Sequence, residues 1–451
     1  MLKQLTFHNF KTWEQADVHF GKITGLFGTN SSGKSSIIQF LLLLKQTKEA
    51  TDPRLAFHFG DERTPVRLGS YADVVRDREV TRPIEWRIEW VLDRELQIPN
   101  PVGQGSAVAA GTDLSVAASI GLMDDEPRMR GLSYRLGDRS FELSAEADGS
   151  FREITTRGAG RFIFRRTKGR PTTFGPPTKG YLFPDAAKLA YQNAGFIGLL
   201  EARYEAEIER VFYLGPLRDY PKREYLWSGA QPTHVGMKGE YAIEAILAAT
   251  KQDVRLPVPE SKRAKPFQEA VAYWLKRLGL ISSFEVKQLA KHSSLYQATV
   301  RSHEGGVPVL LTDVGFGVSQ VLPVVVLLHY VPEGSTVILE QPEIHLHPLA
   351  QAHLADLMIY SARQRQVQVV VESHSEQLLL RLQRRIAEEQ VSHADVKLYF
   401  CEVRGQTAAL DPLRLDMFGR IENWPQKFMG DAFGEAYAAE KRRLKRETAA
   451  N

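Results

Sequence analysis

A single cysteine, Cys401, stands in 451 residues, so no internal disulfide can form and a reducing compartment is the natural setting. Long apolar runs are also lacking: nothing approaches the roughly 18 residues that a membrane-spanning helix needs, so no membrane is expected among the partners. Met1 to Phe10 carries Lys3, His8 and Asn9 where a signal peptide would have an apolar core. A complete chain in the cytoplasm is therefore expected. Neither sign of charge dominates. The 58 Lys and Arg against 54 Asp and Glu leave a net charge of +4, which excludes a polycation and confines any nucleic-acid contact to local patches. No repeat of solenoid period occurs. What remains is an ordinary globular composition, 43% hydrophobic and 25% charged, sufficient for two or three domains or one large α/β domain with insertions.

Alternation through Leu2, Leu5, Phe7 and Phe10, then Val18, Phe20, Ile23 and Leu26, predicts short strands leading into GLFGTNSSGKSS. Beyond it, Ile37, Ile38, Leu41 and Leu42 take helical spacing. IEWRIEWVL, LSVAASIGLM and LSYRLGD mark residues from about 65 to 170 as β-rich, and the Pro-, Gly- and Thr-rich stretch Arg166 to Gly180 reads as a mobile loop. Residues 185–210 and 239–281 read as helical. From Phe284 strands return, and strand and helix alternate to about residue 388.

Gly28-Thr29-Asn30-Ser31-Ser32-Gly33-Lys34-Ser35 fits G-x-x-x-x-G-K-[ST] without exception, between a predicted strand and helix. Its glycines let successive N–H groups and a helix N-terminus face a phosphate. Lys34 would reach the β- and γ-phosphates, and Ser35 would ligand Mg²⁺. LTDVGFGVSQVL again aims glycines, Gly315 and Gly317, and Ser319 into an apolar helix, a second anion site by its form. TVILEQPEIHLHP reads as a strand with acidic residues gathered at its end. VQVVVESHSEQLL ends a buried-looking strand at Glu372 and sets His374 where α/β sheets contact ligands, although Ser373 or Ser375 capping a helix beside a surface histidine fits too.

In this order, FHNFKTWEQADVHFGKITGLFGTNSSGKSS, DVGFGVSQVLP, VILEQPEIHLHP and VVVESHSEQLLLRL resemble the ABC-type ATPase heads of the SMC, RecF and OLD (overcoming lysogenization defect) group, and KLYFCEVRGQTAALDPLRLDMFGRIENWPQKFMGD resembles the C-terminal DUF3696 signature. The likeness spans the chain but is general in character from about 65 to 205. It implies an α/β fold: a two-lobed ABC/SMC-like P-loop ATPase head, with a β-rich lobe, a parallel-sheet core and a helical insertion. The implied domains are an N-terminal ATPase lobe (1–184), a mostly helical insertion (185–283), a C-terminal ATPase lobe (284–400) and a DUF3696-like tail (401–451). It also implies an ATP-dependent homodimer or higher oligomer, with ATP and Mg²⁺ held between the P-loop of one subunit and the GFGVSQ loop of the other. Carried over, Gly28, Asn30, Ser31, Ser32, Gly33, Lys34, Ser35 and Ser36 form the nucleotide loop, and Gly315, Gly317, Ser319 and Gln320 the signature loop in trans. Ser35 and Glu340 hold the metal, Gln341 stands where the catalytic glutamate usually stands, His374 is the switch histidine, and His347 falls near the D-loop. Lys11 and Trp13 approach base and phosphates, and Arg218, in GPLRDYPKREY, either approaches phosphate or DNA or is an exposed loop arginine.

Gln341 can hydrogen-bond an attacking water but cannot take its proton, which removes general-base help of roughly 10²-fold to 10⁴-fold unless Glu343 or His374 supplies it. Slow hydrolysis with a long-lived ATP-bound dimer is the expectation. The 77 residues after His374 (451 less 374) hold no Asp-x-Asp pair, and no HNH-like Cys/His cluster occurs, so no nuclease site is expected in this chain. EIHLHP spaces its histidines i and i+2, which points them apart on a helix and argues against zinc. Two functions follow: an ATPase sensor, scaffold or switch for a separately encoded nuclease or Toprim-like effector in prokaryotic anti-phage defence, or a RecF-like DNA-repair ATPase acting directly on DNA.

Overall fold

The computed structural model describes residues 1–100, 107–158, 162–425 and 442–443. At its centre is a six-stranded sheet in the order Thr407–Leu413, Val396–Arg404, Ile23–Gly28, Gln368–Glu372, Thr336–Glu340 and Val211–Leu214. Its strands run parallel except Thr407–Leu413, which is antiparallel to its neighbour. TVILE and QVVVE are buried at every position, as expected of strands covered on both faces.

The period of two decides which layer each side chain joins. Ile338 and Val370 pack with the helices Lys34–Glu49 and Ile197–Glu209 and with a large antiparallel sheet. Val337, Leu339, Val369 and Val371 face the other way, onto the helices Ala242–Lys251, Phe267–Arg277, Phe316–Tyr330, Pro348–Gln364 and Glu376–Ala387. The antiparallel sheet has seven strands, ordered Trp13–His19, Leu2–Phe10, Ile84–Ile98, Ala109–Met123, Glu126–Leu136, Arg139–Ser144 and Thr155–Arg157, which is the β-rich segment of the sequence. A smaller sheet joins Tyr225–Leu226, Leu295–Arg301, Ser283–Gln288 and Val309–Leu310. No helix among the described residues is long and apolar enough to cross a membrane.

Three stretches of the chain are built into this arrangement. Within residues 185–283, Val211–Leu214 pairs in parallel with Thr336–Glu340 as the edge strand of the central sheet. The helix before it joins one hydrophobic layer and the helices after it join the other. The strand Val396–Arg404 runs through position 401 and pairs with Ile23–Gly28. The stretch 166–180 is irregular but tied down, with Arg166 stacked near Phe174 and Tyr191 and bridges at Phe174 and Thr178. Near the C-terminus Trp424 is 45% exposed, and Phe428 and most of KRRLKRE lie outside the described residues.

Candidate functional site

Ile23–Gly28 delivers the chain into a loop that turns through Ser31 at φ 60° and Gly33 at φ 90°, and the helix Lys34–Glu49 starts directly afterwards. A left-handed serine costs on the order of 1 kcal/mol or more, a strain tolerated where backbone N–H groups must converge. Asn30 and Ser31 are exposed, whereas Ser32, Lys34 and Ser36 are buried. The Lys34 ammonium, 3% exposed, folds back on its own loop, donating to the carbonyl oxygens of Gly28 (3.1 Å) and Thr29 (2.6 Å). Burial lowers its pKa, against the pull of Glu372.

The three parallel strands Ile23–Gly28, Gln368–Glu372 and Thr336–Glu340 end side by side, with Glu340 in register with Glu372 and Glu372 with Leu26. Ligands of open α/β sheets bind at such carboxyl ends. Ser35 Oγ lies 2.9 Å from Glu372 Oε2 and 3.1 Å from Oε1. Glu340 Oε1 accepts from the Tyr213 hydroxyl at 3.0 Å. Burial first, then the negative charge of Glu372, pushes Glu340 up to about 7, while Tyr213 and Arg218 pull it down. Burial also raises Glu372, and Ser35 and Lys34 oppose that.

Gln341 sits at φ 44° and its N–H donates to the carbonyl of Glu372 at 2.8 Å, which locks the ends of the two strands together. Glu343 Oε1 accepts from Ser373 Oγ (2.8 Å) and the His374 N–H (2.7 Å). Its Oε2 is buried without a hydrogen-bond partner, and burial raises its pKa. The His374 ring is exposed, and partial burial followed by Lys34 lowers its pKa.

Other expected site residues stand differently. Arg218 is no exposed loop arginine: it is 8% exposed, Nη2 donates to the Glu340 carbonyl at 3.3 Å, Nε has no partner, and burial lowers its pKa to about 10. Trp13 does not face the nucleotide loop's open side. It is fully buried beneath it, Nε1 donating to the Gly33 carbonyl at 3.1 Å, because the hairpin that carries it packs against the helix Lys34–Glu49. Lys11 reaches Gln39 on that helix. The helix behind the signature loop begins at Phe316, with Gly315 as its cap. Ser319 and Gln320 are buried, and Ser319 Oγ donates to the Phe316 carbonyl at 2.9 Å. Gly315 borders open space, and Gly317 approaches the His345 carbonyl. His347 caps the helix Pro348–Gln364 through Nδ1, which accepts from the Leu349 N–H at 3.4 Å.

Among the described residues no group of three or more His, Cys, Asp or Glu forms a metal cage. The donors beside the loop are instead a hydroxyl and carboxylates, which suits Mg²⁺ held by one or two protein oxygens with phosphates completing its shell. Two buried carboxylates paired in register also leave negative charge for a cation to offset. Glu372 and Tyr213 are site residues that no local motif identifies. The one signal for Glu372 is that two apolar strands each end in glutamate.

No curated protein matches the chain. Among solved structures, an Smc head bound to the C-winged-helix domain of ScpA is similar with a TM-score of 0.47 and 11% identity, covering 92% of this chain and 98% of that one. The SMC head domain from Thermotoga maritima gives 0.39 and 12%, covering 92% and 99%. An Smc head with extended coiled coil, bound to the C-terminal domain of ScpA derived from Pyrococcus furiosus, gives 0.41 and 11%, covering 92% and 96%. Residues 391–437 match the family described as a protein of unknown function, DUF3696. Residues 23–381 match the family described as "AAA domain, putative AbiEii toxin, Type IV TA system", and with most of its 451 residues so matched the chain belongs to that AAA family.

Proposed function

We propose that this protein binds ATP with Mg²⁺ at the strand ends around Lys34, hydrolyses it slowly, and dimerises head-to-tail around it as a switch for a separately encoded effector in anti-phage defence. The observation that carries the reading is the convergence of the Gly28–Ser35 loop with Glu372, Glu340 and Glu343 at the carboxyl ends of the parallel strands. On binding, the Lys34 ammonium exchanges the carbonyls of Gly28 and Thr29 for phosphate oxygens. Ser35 and the carboxylates beside it would hold Mg²⁺, which would supply positive charge against the phosphates. Gln341 orients the attacking water with its amide. As the water oxygen bonds the γ-phosphorus and the bond to the leaving ADP oxygen breaks, the proton passes to Glu343 Oε2, the buried carboxylate oxygen that has no other partner. Ser373 Oγ and the His374 N–H hold the other oxygen of that carboxylate.

Gly315, the cap of the helix Phe316–Tyr330, borders open space, which supports a contact from a second copy. The effector part of the reading rests on the family description, which speaks of putative toxins of type IV toxin–antitoxin systems. Light scattering with and without ATP and Mg²⁺ tests the core of it. The expected result is a monomer that becomes a dimer with ATP, a shift lost in Lys34→Ala; ATP-indifferent mass in both proteins would sink the reading.

A further inference from the structure

We infer that this chain carries a second anion site, for a small phosphorylated ligand, in a cavity of about 360 Å³ lined by Trp274, Arg277, Tyr360, Arg363 and Arg385. The cavity lies away from the nucleotide loop, so the assignment stands apart from the ATP reading. The helix Pro348–Gln364 starts a few residues after Glu343, at the carboxyl ends of the parallel strands, and its 17 residues carry the chain back along the sheet. At about 1.5 Å per residue that is roughly 25 Å, and Arg363 stands at the far end. The strand Gln368–Glu372 begins shortly afterwards, so Arg363 lies toward its amino end, whereas its carboxyl end meets Ser35.

Positive charge collects around this cavity. Arg277 pairs with Glu260 at 3.0 Å. Arg381 (2.9 Å) and Arg385 (2.6 Å) share the carboxylate of Asp356, and Arg384 and Arg385 share Glu388. Arg363 forms no ion pair among the described residues and spends one N–H on the Gln390 carbonyl at 2.9 Å. These five guanidinium groups meet three carboxylates, which leaves two positive charges for an anion. Planar guanidinium forks match phosphate oxygens. The second observation is a buried donor. Trp274, 1% exposed, walls the cavity, and its Nε1 has no hydrogen-bond partner. An unpaired buried N–H is costly, and a phosphate oxygen would satisfy it with the help of charge. Both Asp356 oxygens are taken up by arginine, and the Tyr360 hydroxyl donates to the Pro257 carbonyl, so neither competes for the space. The volume is at the lower end for small-molecule pockets, which suits a phosphate bearing a small organic group and not a macromolecule.

The His329 ring, 6.2 Å from that of Trp274, also has a nitrogen without a partner, Nε2, and a water between the two would satisfy both with no ligand at all. The test must therefore see the anion itself. Inorganic phosphate is titrated at low salt into the full-length protein holding one equivalent of Mg²⁺ and a non-hydrolysable ATP analogue. Uptake is read by equilibrium dialysis, and the Trp274 indole N–H by ¹H–¹⁵N NMR, assigned by its loss in Trp274→Phe. The expected result is saturable uptake of one phosphate per chain, with the Trp274 resonance shifting in step. Arg363→Ala is expected to weaken uptake by about tenfold or more, as loss of a charge-assisted donor does. Lys276→Ala removes an exposed charge from the helix that bears Trp274, without touching the cavity, and is expected to stay within about twofold. Uptake that does not saturate below about 10 mM overturns the site. So does a Trp274 resonance that stays in place, or equal losses in Arg363→Ala and Lys276→Ala. Duplex DNA binding through Arg363 where phosphate does not bind would make this face a nucleic-acid contact and overturn the site as well. Should Trp274→Phe fail to fold, the dialysis contrast between Arg363→Ala and Lys276→Ala decides alone.

Discussion

Gly28 and Cys401 face each other across two parallel strands, so closely that a Cβ on Gly28 would stand 2.0 Å from the Cys401 carbonyl oxygen. Gly28 also holds φ 141°, a conformation nearly closed to other residues. The first glycine of the nucleotide loop therefore serves two ends: it lets the loop curl, and it lets the C-terminal strand Val396–Arg404 lie against the loop strand. Gly28→Ala is expected to lose about 3 kcal/mol or more of stability, seen as a fall in the urea midpoint. Gly315→Ala, at φ −58° with nothing within 4 Å, is the control and is expected to change stability by less than about 0.5 kcal/mol. An unchanged midpoint in Gly28→Ala would show that the two strands separate easily.

Glu343 is the second point of attack. Removing its charge with Glu343→Gln is expected to slow single-turnover ATP hydrolysis by roughly 10²-fold to 10⁴-fold, as loss of a general base does, with little change in ATP affinity. Ser373→Ala removes one of the two donors to Glu343 Oε1 and leaves the carboxylate, so a loss on the order of tenfold is expected. Rapid-quench measurement of the first turnover checks both. Equal rates in wild type and Glu343→Gln would move the proton acceptor elsewhere.

What was legible in the sequence is what lies within one strand–loop–helix unit. The Gly28–Ser35 loop is such a unit, because the glycine spacing and the flanking periodicity sit within a few turns of chain. The buried strands Thr336–Glu340 and Gln368–Glu372 are equally plain as unbroken apolar runs. The order of strands in the sheet is a tertiary fact that no local pattern carries. VFYL, four residues between helical stretches, gives no sign that it pairs beside Thr336–Glu340 and brings Tyr213 to Glu340. For the same reason Glu372 reads as a strand end, and only sheet order sets it one strand from the loop. Arg218 is buried although its neighbours Leu217 and Tyr220 are exposed, and Trp13 is carried inward by a hairpin packed on the helix Lys34–Glu49; neither placement follows from residue type or local pattern.

Gln341 tests the expected pace of the reaction. Gln341→Glu restores a carboxylate at the residue directly after the strand Thr336–Glu340. Single-turnover hydrolysis is expected to rise by about 10²-fold, and the ATP-held dimer to dissociate correspondingly sooner. Measured together by rapid quench and by light scattering over time, the two rates should move in step. No change in either would place Gln341 away from the γ-phosphate.

Glu340 makes stability depend on pH in a stated direction. Its pKa rises from 4.5 to about 7 in the fold, so the native protein retains a proton that the unfolded chain has released. The contribution to stability is complete below pH 4.5 and is lost as pH rises through about 7. For a shift of this size the loss is on the order of 3 kcal/mol, and the charge shared with Glu372 makes it a property of the pair. Urea titrations in EDTA from pH 4.5 to 8 are expected to show wild type losing stability across this window relative to Glu340→Gln, which carries no proton to lose there. Saturating Mg²⁺ with an ATP analogue should flatten the difference, because a cation beside the carboxylates favours their ionised forms. Parallel pH curves for the two proteins in EDTA would mean that Glu340 is already ionised in the fold and that the charge at these strand ends is balanced from within the chain.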